Sequence, residues 1–382
     1  MNGIPLAWYN LLHERTRLLV AIAGVSFAVL LIFMNLGFLG ALITTATNFY
    51  TQFNAEIFLI SPQSLEISST QPFPIERLYQ VAGIEGVEAA MPLYADYMLW
   101  RNPETRISRA MFVYGINPED PVFLMPELQT PAAQQILRQP NVVFIDSLSR
   151  PEFGPQTTGL ETEADRRQVT IGGQYTLGGG FAADGTLIMS DQNFRRFFDP
   201  RPLDLINVGL IKLAPTADID RTAAALQEQL PADVLVLTKT EIIERDRNFW
   251  IQTTSIGFIF SLGVAVSFIV GTVIVYQILY TDIRDHLPEY ATLKAMGYRN
   301  SYLFKVVLQE AVLLALMGYV PGLLVSLVLY QLTVSATAGS LPISMNLGRV
   351  IFVLILTVLM CGLSGLASVR RAMQADPADV FA

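Results

Sequence analysis

The chain has 382 residues, of which 52% are hydrophobic and only 15% charged, with a formal net charge of -8 and one cysteine. Those proportions exclude an ordinary soluble domain. The acidic balance argues against a nucleic-acid binder, which needs basic patches to displace counterions, and a single thiol excludes an internal disulfide.

In chain order, residues 5–17 set Leu6, Trp8, Tyr9, Leu11 and Leu12 against His13, Glu14 and the arginines, the pattern of an amphipathic helix lying at a membrane interface. A helix needs about 20 apolar residues to cross the hydrocarbon core, and residues 18–44 supply the first such run. It is about twice the length of a signal-peptide core, so it reads as a retained span.

Residues 45–250 carry 26 acidic and 16 basic side chains and change to short alternating runs separated by turn residues, which predicts a folded α+β domain. Strands are expected at 56–68, 87–100 and 106–115, with a short helix at 74–81 opened by Pro74. Residues 118–200 are rich in Pro, Gly and polar side chains. They read as an inserted subdomain with flexible edges and weaker strands at 141–146, 168–175 and 186–189. A second β-α-β unit follows at 207–213, 217–230 and 234–237, and two such units predict a small two-layer fold. A helix at 239–250 is expected to continue into the next span as a rigid stalk.

Three further apolar runs, 256–280, 306–334 and 350–368, complete a 1+3 arrangement of four transmembrane helices, and Glu310 is the only acidic or basic side chain among the four runs. Lys and Arg near the spans set orientation. Arg15, Arg17, Arg284, Lys294, Arg299, Lys305, Arg370 and Arg371 fall on one side, whereas the short loop 335–349 on the other offers only Arg349. Both termini (1–17 and 369–382) and the loop 281–305 are therefore expected in the cytoplasm, with 45–250 outside.

Within that loop a helix is predicted at 288–296, begun by Pro288 and ended by Gly297 at the C-cap position. Its surface mixes Glu289, Tyr290, Thr292, Leu293, Lys294 and Met296, which suits either a protein groove or a connector lying at the headgroups. Small residues recur every four positions at Gly263, Ser267 and Gly271 and at Gly318, Gly322 and Ser326, with Gly24 and Ala28 as a further pair. Such faces allow close helix packing in lipid, within one chain or across a dimer.

Glu310 reads as a carboxylate near the interface paired to Lys305 or to span-end backbone; a proton relay lacks a second ionisable station in the spans. His13 and His286 are the only histidines, so neither a zinc site nor a Ser/His/Asp set is expected. Glu161 and Glu163 read as solvated loop charge and not as a glycosidase pair. No catalytic, cofactor-binding or metal-binding residue is assigned.

The loop resembles that of ABC permeases of the MacB/FtsX type, which carry E-x-x-x-L-(K/R)-A-x-G, matched by Glu289, Leu293, Lys294, Ala295 and Gly297. The tail resembles their A-x-x-x-x-P-x-(D/E)-x-(L/F), approximated by Ala372, Pro377, Asp379 and Phe381, and the 1+3 layout is similar as well. The first 120 residues, above all MNGIPLAWYNLLHERTRLLVAIAGVSFAVLLIFMNLGF and SPQSLEISSTQPFPIERLYQ, resemble the DevC group, permeases of cyanobacterial heterocyst glycolipid exporters.

The resemblance implies a MacB-like periplasmic domain, an inner-membrane location, and a coupling helix formed by Glu289, Tyr290, Leu293, Lys294, Ala295, Met296 and Gly297 seated on an ABC ATPase. It also implies a homodimer, a periplasmic membrane-fusion adaptor and, indirectly, a TolC-like outer-membrane channel. Lipid is the implied cargo and surroundings. The sequence has no Gly-x-x-x-x-Gly-Lys-(Ser/Thr) run, so ATP and Mg are expected on a partner ATPase and this chain is expected to be non-catalytic. The alternative is an FtsX-type regulator of a cell-wall hydrolase; the roughly 200-residue outer domain favours export, since regulators of that type have smaller ones.

Overall fold

The computed structural model describes residues 15–178, 183–199, 203–286, 300–337 and 341–373, with backbone alone at 300–303 and 371–373. It divides into two compact units, residues 1–41 with 255–382 and residues 42–254. The amphipathic segment 5–14, the coupling-loop residues 287–299 and the tail beyond 373 lie outside the described residues.

Helix α1 (Arg15–Thr47) leads into a 3₁₀ turn (Asn48–Gln52) and then the α+β domain. In chain order this domain contains β1 (Ile57–Ile60), β2 (Phe73–Pro74), α2 (Glu76–Val81), β3 (Val87–Arg101), β4 (Ser108–Ile116), α3 (Pro131–Leu137) and β5 (Val142–Asp146). There follow β6 (Glu161–Ala164), β7 (Arg167–Tyr175), β8 (Thr186–Ser190), α4 (Asp191–Phe197), β9 (Leu205–Ile206), β10 (Val208–Leu213), α5 (Ile219–Gln229), β11 (Leu235–Thr238) and α6 (Lys239–Asn248).

Nine strands form one sheet in the order β11-β1-β10-β3-β4-β8-β5-β7-β6, while β2 and β9 pair separately. The far end of the sheet returns on itself. Trp100 and Arg101 at the end of β3 pair with Ala164 and Glu163 of β6, so six strands from β3 to β6 close into a ring. Trp100 is fully buried there and its Nε1 donates to the Phe153 carbonyl at 3.1 Å.

The strand β1, Ile-Phe-Leu-Ile, is buried at all four positions because both sheet faces are covered. Ile57 and Leu59 join one core with Leu78, Val81, Phe194 and Leu226 from α2, α4 and α5, and with Leu230 just after α5. Phe58 and Ile60 join the other with Tyr50, Ala133, Leu137 and Ile242 from the 3₁₀ turn, α3 and α6. The expected two-layer arrangement is thus corrected: helices flank the sheet on both sides.

Three local expectations are corrected as well. The strand expected to reach residue 68 ends at Ile60, since Pro62 cannot donate to a ladder. Residues 118–200 do not fold apart from their flanks, because β8 pairs in parallel with β4 and β6 pairs with β3. The stalk is not one helix: α6 ends at Asn248, a π-type turn spans Phe249–Thr253, and Thr254 is extended before the next helix begins.

That helix is α7 (Ser255–Asp285), followed by α8 (Asn300–Ala336) and α9 (Leu347–Met373). With α1 they make, among the described residues, four helices long and apolar enough to cross a membrane. Phe258, Ile259, Leu262, Val266 and Ile269 of α7 and Val320, Leu324 and Val328 of α8 are exposed, the apolar outer surface that lipid requires.

Candidate functional site

Within the span unit, α1 is the helix against which the small residues of the others sit. A Cβ at Gly318 of α8 meets Val25, and one at Gly322 meets Val29 Cγ1 at 2.8 Å and the Ser26 carbonyl at 2.9 Å. Val25 and Val29, like Gly318 and Gly322, are four apart, so each pair lies on one helix face. On α7, Gly263 faces Asn35, and Gly271 faces Ala28, 2.7 Å from its ideal Cβ, and Met360 of α9. Gly24 faces Ile274.

Hydroxyls join the same helices where backbones come close. Ser26 Oγ donates to the Gly318 carbonyl at 2.9 Å, Ser364 to Thr272 at 2.7 Å, Ser368 to Tyr276 at 3.2 Å, and Tyr319 to Val350 at 2.7 Å. Tyr330 donates to the Phe33 carbonyl. Ser267 and Ser326 instead donate to Gly263 and Gly322 one turn back in their own helices, each at 2.7 Å, which satisfies the hydroxyl without a partner helix. In lipid such contacts and close packing hold helices together, because burying apolar surface gains nothing there.

The end of the bundle next to the coupling segment carries an ion-pair group that composition did not reveal. Arg17 of α1 bonds Asp285 of α7 at 2.6 Å and lies 3.8 Å from Asp282. His286 Nδ1 lies 2.9 Å from the Asp282 carbonyl, joining the same group. The coupling residues Glu289, Tyr290, Leu293, Lys294, Ala295, Met296 and Gly297 begin just beyond and lie outside the described residues. Glu310 is fully buried and Lys305 is exposed.

In the domain, the segments that continue α1 and precede α7 meet around Asp246. Tyr50, in the 3₁₀ turn, donates its phenol to Asp246 Oδ2 at 2.6 Å, and the Ile67 amide lies 3.4 Å from the same oxygen. Both side chains are fully buried. Burial, aided by the nearby Glu66 carboxylate, pushes the Asp246 carboxyl up to about 7, against the Tyr50 and Ile67 hydrogen bonds and Arg245, which favour its charge. Burial and the facing aspartate likewise hold the Tyr50 phenol well above its ordinary value. Arg245 itself reaches the Ser64 carbonyl. The sequence did carry one signal for this group: Ile242 and Asp246 are four apart on α6, which places an aspartate on the face that Ile242 buries.

The paired acids Glu161 and Glu163 face different partners, Gln168 and Arg101. Both are therefore parts of the β6 edge and not a facing pair.

Comparison with known proteins gives the family. A family model of the MacB-like periplasmic core domain matches residues 18–229, and one of the FtsX-like permease C-terminal region matches 247–377. The macrolide export ATP-binding/permease protein MacB of Acinetobacter baylyi is 29% identical over 125 residues, 33% of this chain and 19% of that protein. Its counterpart in Bordetella avium is 27% identical over 130 residues, 34% and 20% respectively. The matched stretch thus spans about a fifth of the length of these relatives. Among solved structures, the periplasmic region of MacB from Actinobacillus actinomycetemcomitans is 11% identical, with 54% of this chain and 98% of that one covered and a TM-score of 0.37. The extracellular domain of the Gram-positive ABC-type transporter YknZ is 14% identical, with 48% and 100% covered and a TM-score of 0.35. With more than half of its length matched by the periplasmic core model and most of the remainder by the permease model, the chain belongs to the MacB-like permease family.

Proposed function

We propose that this chain is the non-catalytic permease subunit of an ATP-driven tripartite exporter. It takes up motion from a partner ABC ATPase, which holds the ATP and Mg, and passes that motion to its periplasmic domain. The observation that carries the reading is the span unit itself. Its interior is filled by Val25, Val29, Phe33, Leu314 and Met360, and buried hydroxyls such as Thr357 and Ser364 are bonded to backbone carbonyls, which supports movement as packed helices rather than a wide aqueous path.

On this reading the segment around Glu289, Leu293, Lys294, Ala295 and Gly297 sits on the ATPase, with both termini on the same cytoplasmic side. Two copies form a dimer. The periplasmic domains engage a membrane-fusion adaptor leading to a TolC-like outer-membrane channel. The cargo is a lipid or glycolipid, a choice supported by the DevC-like opening of the sequence.

The test is reconstitution of the purified chain in liposomes with the ATPase that co-purifies from native membranes. The double variant Lys294→Asp, Ala295→Asp is expected to leave ATP hydrolysis at the basal rate of the ATPase alone while the wild type stimulates it. Unchanged stimulation by the variant, or capture of a cell-wall hydrolase instead of an adaptor by the periplasmic domain, refutes the proposal.

A further inference from the structure

One buried carboxylate joins the turn that follows α1, the loop that follows β1 and the helix that precedes α7. Asp246 is fully buried, and its Oδ2 accepts from Tyr50 and the Ile67 amide, whereas its Oδ1 has no hydrogen-bond partner. An ionised aspartate offers about four acceptor positions and no donor, so the charged form is half-satisfied here.

The groups that face it come from each neighbouring element. The 3₁₀ turn supplies the Tyr50 phenol, with Tyr114 of β4 beyond it. The loop supplies Glu66, also buried, whose carboxylate accepts from the Ser68 amide and hydroxyl. The helix supplies Arg245, whose guanidinium is engaged by the Ser64 carbonyl. A second negative charge is therefore close, and the nearest cation already has a partner.

We propose that Asp246 is a proton-operated latch: with its carboxyl protonated the turn at 48–52, the loop at 61–71 and helix α6 are locked together, and loss of the proton frees this joint to open. A buried ionised carboxylate with one bare oxygen is an uncompensated charge. Opening relieves it by letting water reach Oδ1. Closing at low pH takes one proton from solvent, and opening at higher pH returns it.

The sign follows from linkage. The closed joint keeps its proton up to about pH 7, whereas the opened one, with a hydrated aspartate, releases it near pH 4, as model aspartates do (about 3.9). The equilibrium toward the open form therefore rises with pH by up to about tenfold per unit inside that window, and is level above it. The inference concerns the domain alone and stands whether or not the chain is an exporter.

The test is amide hydrogen exchange on the full-length protein in nanodiscs from pH 5 to 8.5, corrected for intrinsic exchange and read in peptides covering 61–71 and 240–250. Between pH 5 and 7 the wild-type opening equilibrium is expected to grow by up to about 100-fold and then to plateau. Asp246→Asn keeps an acceptor for Tyr50 without charge, so its profile is expected to be flat. Glu66→Gln removes the neighbouring charge and is expected to bring the plateau to lower pH. A flat wild-type profile, or an Asp246→Asn profile that follows the wild type, overturns the latch. If Asp246→Asn does not fold, the wild-type and Glu66→Gln profiles decide, and an unmoved plateau in the latter also overturns it.

Discussion

Replacing Gly322 by alanine tests whether α1 and α8 are in backbone-level contact. The added methyl lies 2.8 Å from Val29 Cγ1, 2.9 Å from Val29 Cβ and 2.9 Å from the Ser26 carbonyl oxygen. Carbon atoms rest at about 3.5 to 4.0 Å, so the helices must separate by roughly 0.7 to 1 Å. Val29 cannot turn aside, because a β-branched side chain in a helix has essentially one χ1 rotamer, and the oxygen belongs to backbone. Overpacking of this kind costs about 1 to 3 kcal/mol, offset by up to about 1 kcal/mol from the better helix propensity of alanine.

Gly362 is the matched control, since nothing lies within 4 Å of its Cβ position. Gly362→Ala is expected to be neutral or stabilising by up to about 1 kcal/mol, leaving the two variants about 2 kcal/mol apart. Reversible SDS unfolding of the full chain in mild detergent measures both. Adding Val29→Ala to Gly322→Ala is expected to recover part of the loss, as contacting residues couple. Equal stability of Gly322→Ala and Gly362→Ala refutes the packing argument.

Two further expectations concern the periplasmic domain. Asp146 is fully buried and accepts from the amides of Leu148 and Leu177, each at 3.1 Å, and of Gly178 at 2.9 Å. Asp146→Ala strands those donors and is expected to cost about 3 kcal/mol in denaturant unfolding, with Asp146→Asn losing less because one accepting oxygen remains. Burial outweighs those three bonds and raises the Asp146 carboxyl, so its contribution falls as pH rises from the ordinary aspartate range through that raised value, a slope absent in Asp146→Asn. Thr238 caps α6 by accepting from the Glu241 amide at 3.2 Å while Glu241 accepts from the Thr238 amide at 2.8 Å. Thr238→Ala is expected to cost about 1 kcal/mol and to speed exchange in the first turn of α6.

The spans were legible because a run of some 20 apolar residues has no competing explanation. The strands β3, β5, β7, β8 and β10 were legible from alternation and β-branched content. Strand β6 was not. Its residues Glu161, Thr162, Glu163 and Ala164 are mostly polar, and the turn into β7 places Asp165 and Arg166 at φ of 44° and 65° without the Asn-Gly or Asp-Gly pair that marks such a hairpin. Missing β6 hid the closure onto β3, a pairing between residues some sixty positions apart, and with it the union of 118–200 with the main sheet. The Asp246 group was hidden for a related reason. Tyr50, Glu66 and Asp246 come from three segments, and only the spacing of Ile242 and Asp246 within α6 pointed inward.

These contacts give α1 a particular mechanical position. Within the span unit it holds Asp282 and Asp285 through Arg17 at one end, and along its length it meets α7 and α8 through Ala28, Gly271, Val29 and Gly322. Within the periplasmic domain, the turn that continues it holds α6 through Tyr50 and Asp246. Packed interiors have low compressibility and pass on displacement instead of absorbing it. On the reading proposed above, a push delivered beside residue 286 meets α1 through charge within the span unit, and the domain's own joint answers to one proton. Altered α1 packing and altered Asp246 charge therefore act on different units. Gly322→Ala is expected to weaken the span unit at every pH, and Asp246→Asn to remove the pH dependence of the domain's joint.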